Sequence, residues 1–416
     1  MNDMHIAEEL FAGLREISLD GKGVTRGSYS QKETEALEFL ELYAQNHGLS
    51  VNYDGGRNAI FSLPADADAA RYVLVGSHID SVPMGGNYDG AAGIVAGLVC
   101  LIKAQREGLR FQRPVKVMAL RGEESAWFGR CYLGSRALLG QLEPQALDAP
   151  HRETGRPLVE YLEQVGADVE RIRAQKPLLD IQGVEAYLEL HIEQGPVLVE
   201  LDKPMAVVSG IRGNFRHRTV HCLGEAGHSG AVPRQYRHDS VFAVASLLMR
   251  VDDHWKTILE HGGDLVVTTG IVSTNHDEHA MSRIPGDVEF SFEARSEHQD
   301  VLDAVHALLE SEAKNIERER LVCFEFDSVV ASSAAQMDPA IVDQLKQAAV
   351  RCGQEPYVMP SGAGHDAAVF ANAGVPTGMI FVRNQNGSHN PDEAMAIEDF
   401  HQATAVLYSH LVGEAA

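Results

Sequence analysis

Two adjacent acids, Glu123 and Glu124, follow the apolar run Val115-Lys-Val-Met-Ala-Leu-Arg-Gly, and the segment Gly76-Ser-His-Ile-Asp80 leads to a second acid, Asp89. A His, an Asp able to bridge and a Glu at the ends of successive strands can hold two divalent cations, and the spare carboxylate can act as a base. His78 is one of 19 histidines, and a single histidine is most often structural. Asp80 sets it apart, because positions i and i+2 of an extended segment face the same way. A carboxylate placed there can hold the second imidazole nitrogen, as metal-binding histidine requires. Asp89, flanked by glycines before a helix, reads either as an N-cap in a Gly-rich turn or as a carboxylate bridging two metals. The string around it is not G-x-G-x-x-G, so a dinucleotide site is not indicated.

Burying two neighbouring carboxylates requires compensating charge. Adjacent side chains point apart, so Glu124 could ligate while Glu123 takes a proton from water. Leu188-Glu-Leu-His-Ile-Glu-Gln-Gly-Pro196 supplies His191 at a strand end, with Gln194 nearby, and Gly387-Ser-His-Asn-Pro391 supplies His389 in a polar loop. His78, Asp89, Glu124, His191 and His389 are enough ligands for two ions of the Zn, Mn or Co kind. A nucleophilic serine is not supported, since Gly227-His-Ser-Gly-Ala231 is not G-x-S-x-G.

The elements that must position these groups follow from periodicity. Residues 5–18 and 31–47 read as amphipathic helices. Strands are predicted over Val73–Gly76, Val115–Leu120, Ala186–His191 and Pro376–Val382, with a crossover helix over Ala91–Ala104 and a late helix over Pro339–Val350. Such alternation implies a mostly parallel α/β sheet with functional groups at the carboxyl ends of its strands. The middle differs: strand Arg216–Leu223, helix Ser240–Leu259, strands Leu265–Val272 and Val288–Arg295, helix Val301–Arg318 and strand Leu321–Phe326. That order, β-α-β-β-α-β, is ferredoxin-like. The expectation is a discontinuous α/β domain, 1–208 with 329–416, carrying an inserted α+β domain, 209–328.

A chain of 416 residues exceeds one ordinary core. Its 59 acidic against 35 basic side chains, a formal charge of −24, argue against nucleic acid and anionic membrane as partners. No secretory signal or membrane-length apolar window is visible. Five scattered cysteines with no C-x-x-C pair indicate neither a disulfide framework nor a thiolate zinc site. The expected location is the cytoplasm.

Taken together, Gly-Ser-His-Ile-Asp-Ser-Val-Pro-Met-Gly-Gly-Asn-Tyr-Asp-Gly, Glu-Glu-Ser-Ala-Trp-Phe with Leu-Gly-Ser-Arg, and Leu-His-Ile-Glu-Gln-Gly-Pro resemble the hydantoinase/carbamoylase family of amidohydrolases. So do Gly-His-Ser-Gly-Ala-Val-Pro, Pro-Ser-Gly-Ala-Gly-His-Asp-Ala and Ser-His-Asn-Pro. That family lies within the binuclear-metal aminoacylase and carboxypeptidase clan, and the resemblance spans nearly the whole chain. It implies that His78 and His191 bind one metal, His389 and Glu124 the other, and that Asp89 bridges them. It further implies Glu123 as general base, Asp80 orienting His78, and Gln194 facing the substrate. From the inserted domain, which also forms the family's homodimer, His228 would reach the partner's active site and stabilise an oxyanion. Asn275 and Arg283 would clamp a substrate carboxylate, with Asn214 and the Gly362–Gly364 loop as further substrate contacts. By residue type alone, Arg283 also reads as a loop arginine in a solvated ion pair. The implied activity is hydrolysis of an N-carbamoyl-L-amino acid, with allantoate, ureidoglycolate, 3-ureidopropionate, N-acyl amino acids or dipeptides as rival substrates. A non-catalytic binding protein on the same fold is the rival of another class. Tyr88 for the usual Phe is a mild departure; Trp127, where relatives often carry Arg, and Asn214, where allantoate-specific relatives carry Gln, bear on the substrate and not on the metal ligands.

Overall fold

A computed structural model describes residues 3–413. Its contacts divide it into one unit built from the chain up to Ser209 and from Gln336 onward, and a second spanning Gly210–Ala335.

The first unit is organised by a nine-stranded sheet. Its centre is parallel: Thr377–Val382, Val184–Ile192, Tyr72–His78 and Val115–Leu120 lie side by side. Antiparallel strands flank this centre, Met205–Ile211 on one side, Ala59–Ser62 and Ser50–Tyr53 on the other. The central strands are buried over most of their length, which is why they read as unbroken apolar runs instead of alternating ones. Sequence and structure agree on Val115–Leu120; Tyr72–His78 and Val184–Ile192 extend beyond the predicted limits. Every long crossover leaves from the carboxyl edge, so His78, His191 and the Glu123-Glu124 pair are delivered to one rim.

Helix Ala91–Glu107 covers the sheet directly behind that rim and is buried on nearly all sides. Its small residues set the spacing. A side chain at Gly93 would collide with the Leu190 carbonyl and Ser77, and one at Gly97 would enter Val117 and Val75. Helices Asp3–Ser18, Gln31–Asn46, Pro339–Arg351 and Ile397–Val412 complete the layers, and Ser30 caps the second by accepting from the Glu33 amide.

The second unit is an antiparallel sheet in the order Val266–Thr268, Asp287–Ser296, Gly213–Leu223, Cys323–Phe326. Helices Ser240–Glu260 and Gln299–Arg320 share a core with it that includes Val220, Phe290, Phe292, Leu247 and Leu309. The continuous strand predicted over Leu265–Val272 is not there. Two short strands, Val266–Thr268 and Val272–Thr274, pair with the same neighbour on either side of Gly270. Between Val266↔Arg295 and Val272↔Phe290 six steps on one strand face five on the other, a bulge that an apolar run cannot reveal.

Because helix Ala91–Glu107 has no room at its sheet-facing glycines, Gly93→Val is expected to lower stability by about 1–3 kcal/mol. A fall in thermal midpoint relative to the wild type measures it; an unchanged midpoint contradicts the close packing.

Candidate active site

His78 ends its strand, and the chain turns so that its Nδ1 lies 3.0 Å from the Asp80 carbonyl oxygen. One strand over, His191 stands one residue before its strand ends, its Nδ1 lying 2.9 Å from the Ile192 carbonyl. A carbonyl can only accept, so each neutral ring carries its proton on Nδ1 and presents a bare Nε2. Those two Nε2 atoms face each other at 3.5 Å. Asp89 Oδ1 sits 3.2 Å from His191 Nε2 and 3.6 Å from His78 Nε2, is buried, and receives no hydrogen bond. The Gly90 amide donates to His191 Nε2 at 3.2 Å; His78 Nε2, His191 Nε2 and Asp89 Oδ1 otherwise converge as electron-pair donors, an arrangement that fits a cation.

Asp89 is not the helix cap; Gly90 takes that position and makes no side-chain cap. Its second oxygen faces another group. Oδ2 lies 3.2 Å from His389 Nε2, which is also 3.3 Å from Glu124 Oε1. His78, Asp89 and His191 form one candidate metal-binding group and Asp89, Glu124 and His389 a second, with Asp89 common to both. A further trio, Glu189, His191 and His365, is close enough in space but already engaged. Glu189 accepts from Ser77 Oγ, Tyr187 Oη and the Ala367 amide, and His365 Nε2 meets Ser361 Oγ at 2.9 Å.

The electrostatics match a site that wants positive charge. Burial works against ionising Asp89, yet the neighbouring imidazoles of His191, His389 and His78 hold its carboxyl well below the usual range. Hydrogen bonds to Asp89 and Glu124 raise the His389 imidazole to about 10. Glu123 is pushed well above the ordinary carboxyl range by burial, against the field of His78 and with those of Glu124 and Asp366. Its carboxylate makes no hydrogen bond or ion pair among the described residues.

The Asp80 carboxylate does more than orient His78, from which its Oδ1 lies 3.4 Å away. It accepts from the backbone amides of Glu123 at 3.0 Å and Glu124 at 3.1 Å, and from Ser28 Oγ at 2.6 Å, so it positions the acid pair. Gln194, at φ 64°, donates to Asp89 Oδ2 at 2.9 Å, and its Oε1 is buried without a partner. His389 also adopts a positive φ, 60°; two left-handed non-glycine residues at one rim mark stored strain. Sequence reasoning passed over Ser388, whose Oγ lies 2.6 Å from Asp89 Oδ2 and 2.7 Å from Glu393 Oε2. It also passed over Glu393, which accepts from the Tyr88 and Asp89 amides. Trp127 is buried in a side cluster and donates to the Ser81 carbonyl. Gly364 faces the Tyr132 hydroxyl so closely that no side chain fits there, and Gly362 sits two residues before it in the same turn.

The remaining sequence-derived residues lie in the second unit. Asn214 donates to Ser332 Oγ, and His228 Nδ1 accepts from the Gly230 and Ala231 amides. Arg283 pairs with Glu278, the ion pair its residue type allowed. Arg283 and Asn275 line one cavity of about 770 Å³, together with His279 and Met281.

The model of peptidase family M20/M25/M40 matches residues 74–412. The chain belongs to that family. Within it, the sequence is 35% identical to the N-carbamoyl-L-amino acid amidohydrolase of Geobacillus stearothermophilus over 96% of this chain and 97% of that one. It is 31% identical to the allantoate amidohydrolase of Escherichia coli K12, covering 92% and 91%. A crystal structure of a hydantoinase/carbamoylase family amidase from Burkholderia multivorans superposes with a TM-score of 0.86 at 26% identity, covering 99% and 97%. This M20 chain is therefore an enzyme, an amidohydrolase of the hydantoinase/carbamoylase type.

Since Asp89 serves both donor groups, Asp89→Ala is expected to leave the protein with almost no bound divalent metal after dialysis, and His389→Ala to leave roughly half the wild-type content. Metal analysis by mass spectrometry distinguishes the two; equal loss in both variants would contradict the shared carboxylate.

Proposed function

We propose that the chain hydrolyses the linear C–N bond of a ureido acid, most simply an N-carbamoyl-L-amino acid, using two divalent ions of the Zn, Mn or Co kind. The observation that carries this reading is the pair of donor groups joined at Asp89 with an unengaged Glu123 carboxylate beside them. His78 and His191 would hold one ion, Glu124 and His389 the other. Ions held there supply Lewis acidity, lowering the pKa of water and polarising a carbonyl.

The protein's own residues do the rest. Glu123, raised by burial, takes a proton from the attacking water as its oxygen bonds to the carbamoyl carbon. It then gives that proton to the departing amino-acid nitrogen as the C–N bond breaks. The amino acid leaves, and the carbamic acid falls to ammonia and carbon dioxide. Asp80 keeps Glu123 and Glu124 at their stations, and Gln194 fixes Asp89. Asn275 and Arg283, which share a cavity, would clamp the substrate carboxylate through Arg's planar fork, with Asn214, Gly362 and Gly364 as further contacts. His228 would act in the partner's site of a homodimer formed through the second unit. Phe242 and Met249, each 60% exposed on the helix Ser240–Glu260, support that assembly. Among the described residues no helix is long and apolar enough to cross a membrane. The five cysteines form no disulfide, and cytoplasmic residence fits that.

Allantoate is the second substrate to test, because a relative at 31% identity is named for it. Metal-stripped protein reloaded with Zn, Mn or Co is assayed for ammonia release from N-carbamoyl-L- and D-amino acids, allantoate, ureidoglycolate, 3-ureidopropionate, N-acetyl amino acids and a dipeptide. Metal-dependent turnover of an N-carbamoyl-L-amino acid is expected; silence on every ureido acid with metal bound sinks the reading. In the same assay Glu123→Gln is expected to lose about 10²–10⁴-fold in kcat with metal content intact, whereas a pure binding protein would be unaffected. Mixing His228→Ala with Glu123→Gln subunits is expected to restore part of the activity; no recovery at any ratio counts against a site completed across the dimer.

A further inference from the structure

The supports of the metal-ligand segments extend upstream of the residues that the family model matches, 74–412. Residues 26–28 run alongside 79–81. The Arg26 amide donates to Ser81 Oγ, the Ser81 amide donates back to the Arg26 carbonyl, each at 2.9 Å, and Ser28 Oγ donates to Asp80 Oδ2.

Arg26 itself is wholly buried. Its Nε donates to the Ile79 carbonyl at 2.8 Å, and Nη1 donates to Ser18 Oγ at 2.8 Å and reaches Asn87 Oδ1 at 3.5 Å. Nη2 has no partner, and no carboxylate contacts the guanidinium among the described residues. A buried charge without a contacting counter-charge is unfavourable in a fold. Burial pulls the guanidinium down to about 10, while the fields of Asp80, Glu393 and Asp89 oppose that fall; it stays charged at neutral pH.

What the guanidinium touches explains its presence. The Ile79 peptide joins His78 to Asp80, so a fixed Ile79 carbonyl fixes the direction in which both side chains leave the strand. Asn87 stands two residues before Asp89 and is also anchored, through Nδ2, to the Phe11 carbonyl at 2.9 Å. One planar group with donors pointing several ways meets both loops and the end of the first helix at Ser18. A point charge on a flexible stem cannot do so.

We propose that Arg26 is a positioning residue of the metal centre, fixing the Ile79 peptide between His78 and Asp80 and, through Asn87, the loop that presents Asp89. The inference rests on the metal reading above.

The test is the affinity of chelator-stripped full-length protein for Zn²⁺ and Mn²⁺, measured by competition with a chromophoric chelator. Far-UV circular dichroism and the thermal midpoint of the metal-free form run beside it. Arg26→Gln is expected to weaken metal binding about 10–100-fold with the metal-free protein folded, and kcat is expected to return largely at saturating metal. Arg26→Lys keeps the charge but not the fork, and is expected to weaken binding nearly as much. Unchanged affinity in folded Arg26→Gln overturns the proposal. So does tighter binding in Arg26→Gln with wild-type affinity in Arg26→Lys, because the guanidinium would then act as a like charge alone. Should Arg26→Gln not fold, Asn87→Ala, which removes one of its acceptors, is expected to weaken binding severalfold, and no change there overturns the link to the Asp89 loop. Wild-type protein that takes up no divalent ion would instead remove the metal reading itself.

Discussion

Two imidazoles and a buried carboxylate brought together around one point are the constraint on which the structure turns. Two imidazole Nε2 atoms at 3.5 Å, with a buried carboxylate oxygen against both, repel one another unless positive charge lies among them. Holding them costs the fold stability that a hydrophobic filling would not. Much else reads as the means of doing so: carbonyls that fix each ring, an Asp whose carboxylate binds two successive amides, and left-handed backbone at Gln194 and His389.

The parallel sheet provides the convergence. Chain direction in such a sheet sends every strand's last residues to one rim, so groups far apart in sequence need only end their strands at the right depth. A close-packed helix behind the rim keeps that depth constant. The small residues at Gly93 and Gly97 let the helix lie on the sheet without a layer of side chains between them, which leaves the strand ends little room to move. Rigidity of this kind suits a centre whose donors must be held in place before a cation arrives.

How much of this was legible in the sequence depended on the kind of interaction. Buried strands and amphipathic helices announce themselves by apolar pattern, and Val115–Leu120 was readable to the residue. Donor side chains could be named only together, from the strings around His78, Asp89, Glu124, His191 and His389, since each alone reads as readily as a structural residue. The supports could not. Ser388 and Glu393 meet the Asp89 loop across 299 and 305 residues of sequence, and nothing in a serine or a glutamate alone says so. Asp80 was placed beside His78 by an i, i+2 argument, but its hold on the Glu123 and Glu124 amides is a tertiary fact. The split strand around Gly270 was invisible for a related reason: a bulge is set by the partner's register, not by the hydropathy of the strand itself.

The spread of the donors along the chain also sets an order in time. His78, Asp89 and His191 all precede residue 200, whereas Ser388 follows Asp89 by 299 residues. At about 5–20 residues per second that interval lasts roughly 15–60 s. The strand Thr377–Val382, which lies between Val184–Ile192 and Met205–Ile211, is equally late. A growing chain therefore lacks a strand in the middle of its sheet, and holds only the earlier of its two donor groups, until residues 377–389 have been made. The group His78, Asp89 and His191 can thus assemble well before residue 389 exists, the group Asp89, Glu124 and His389 only after it.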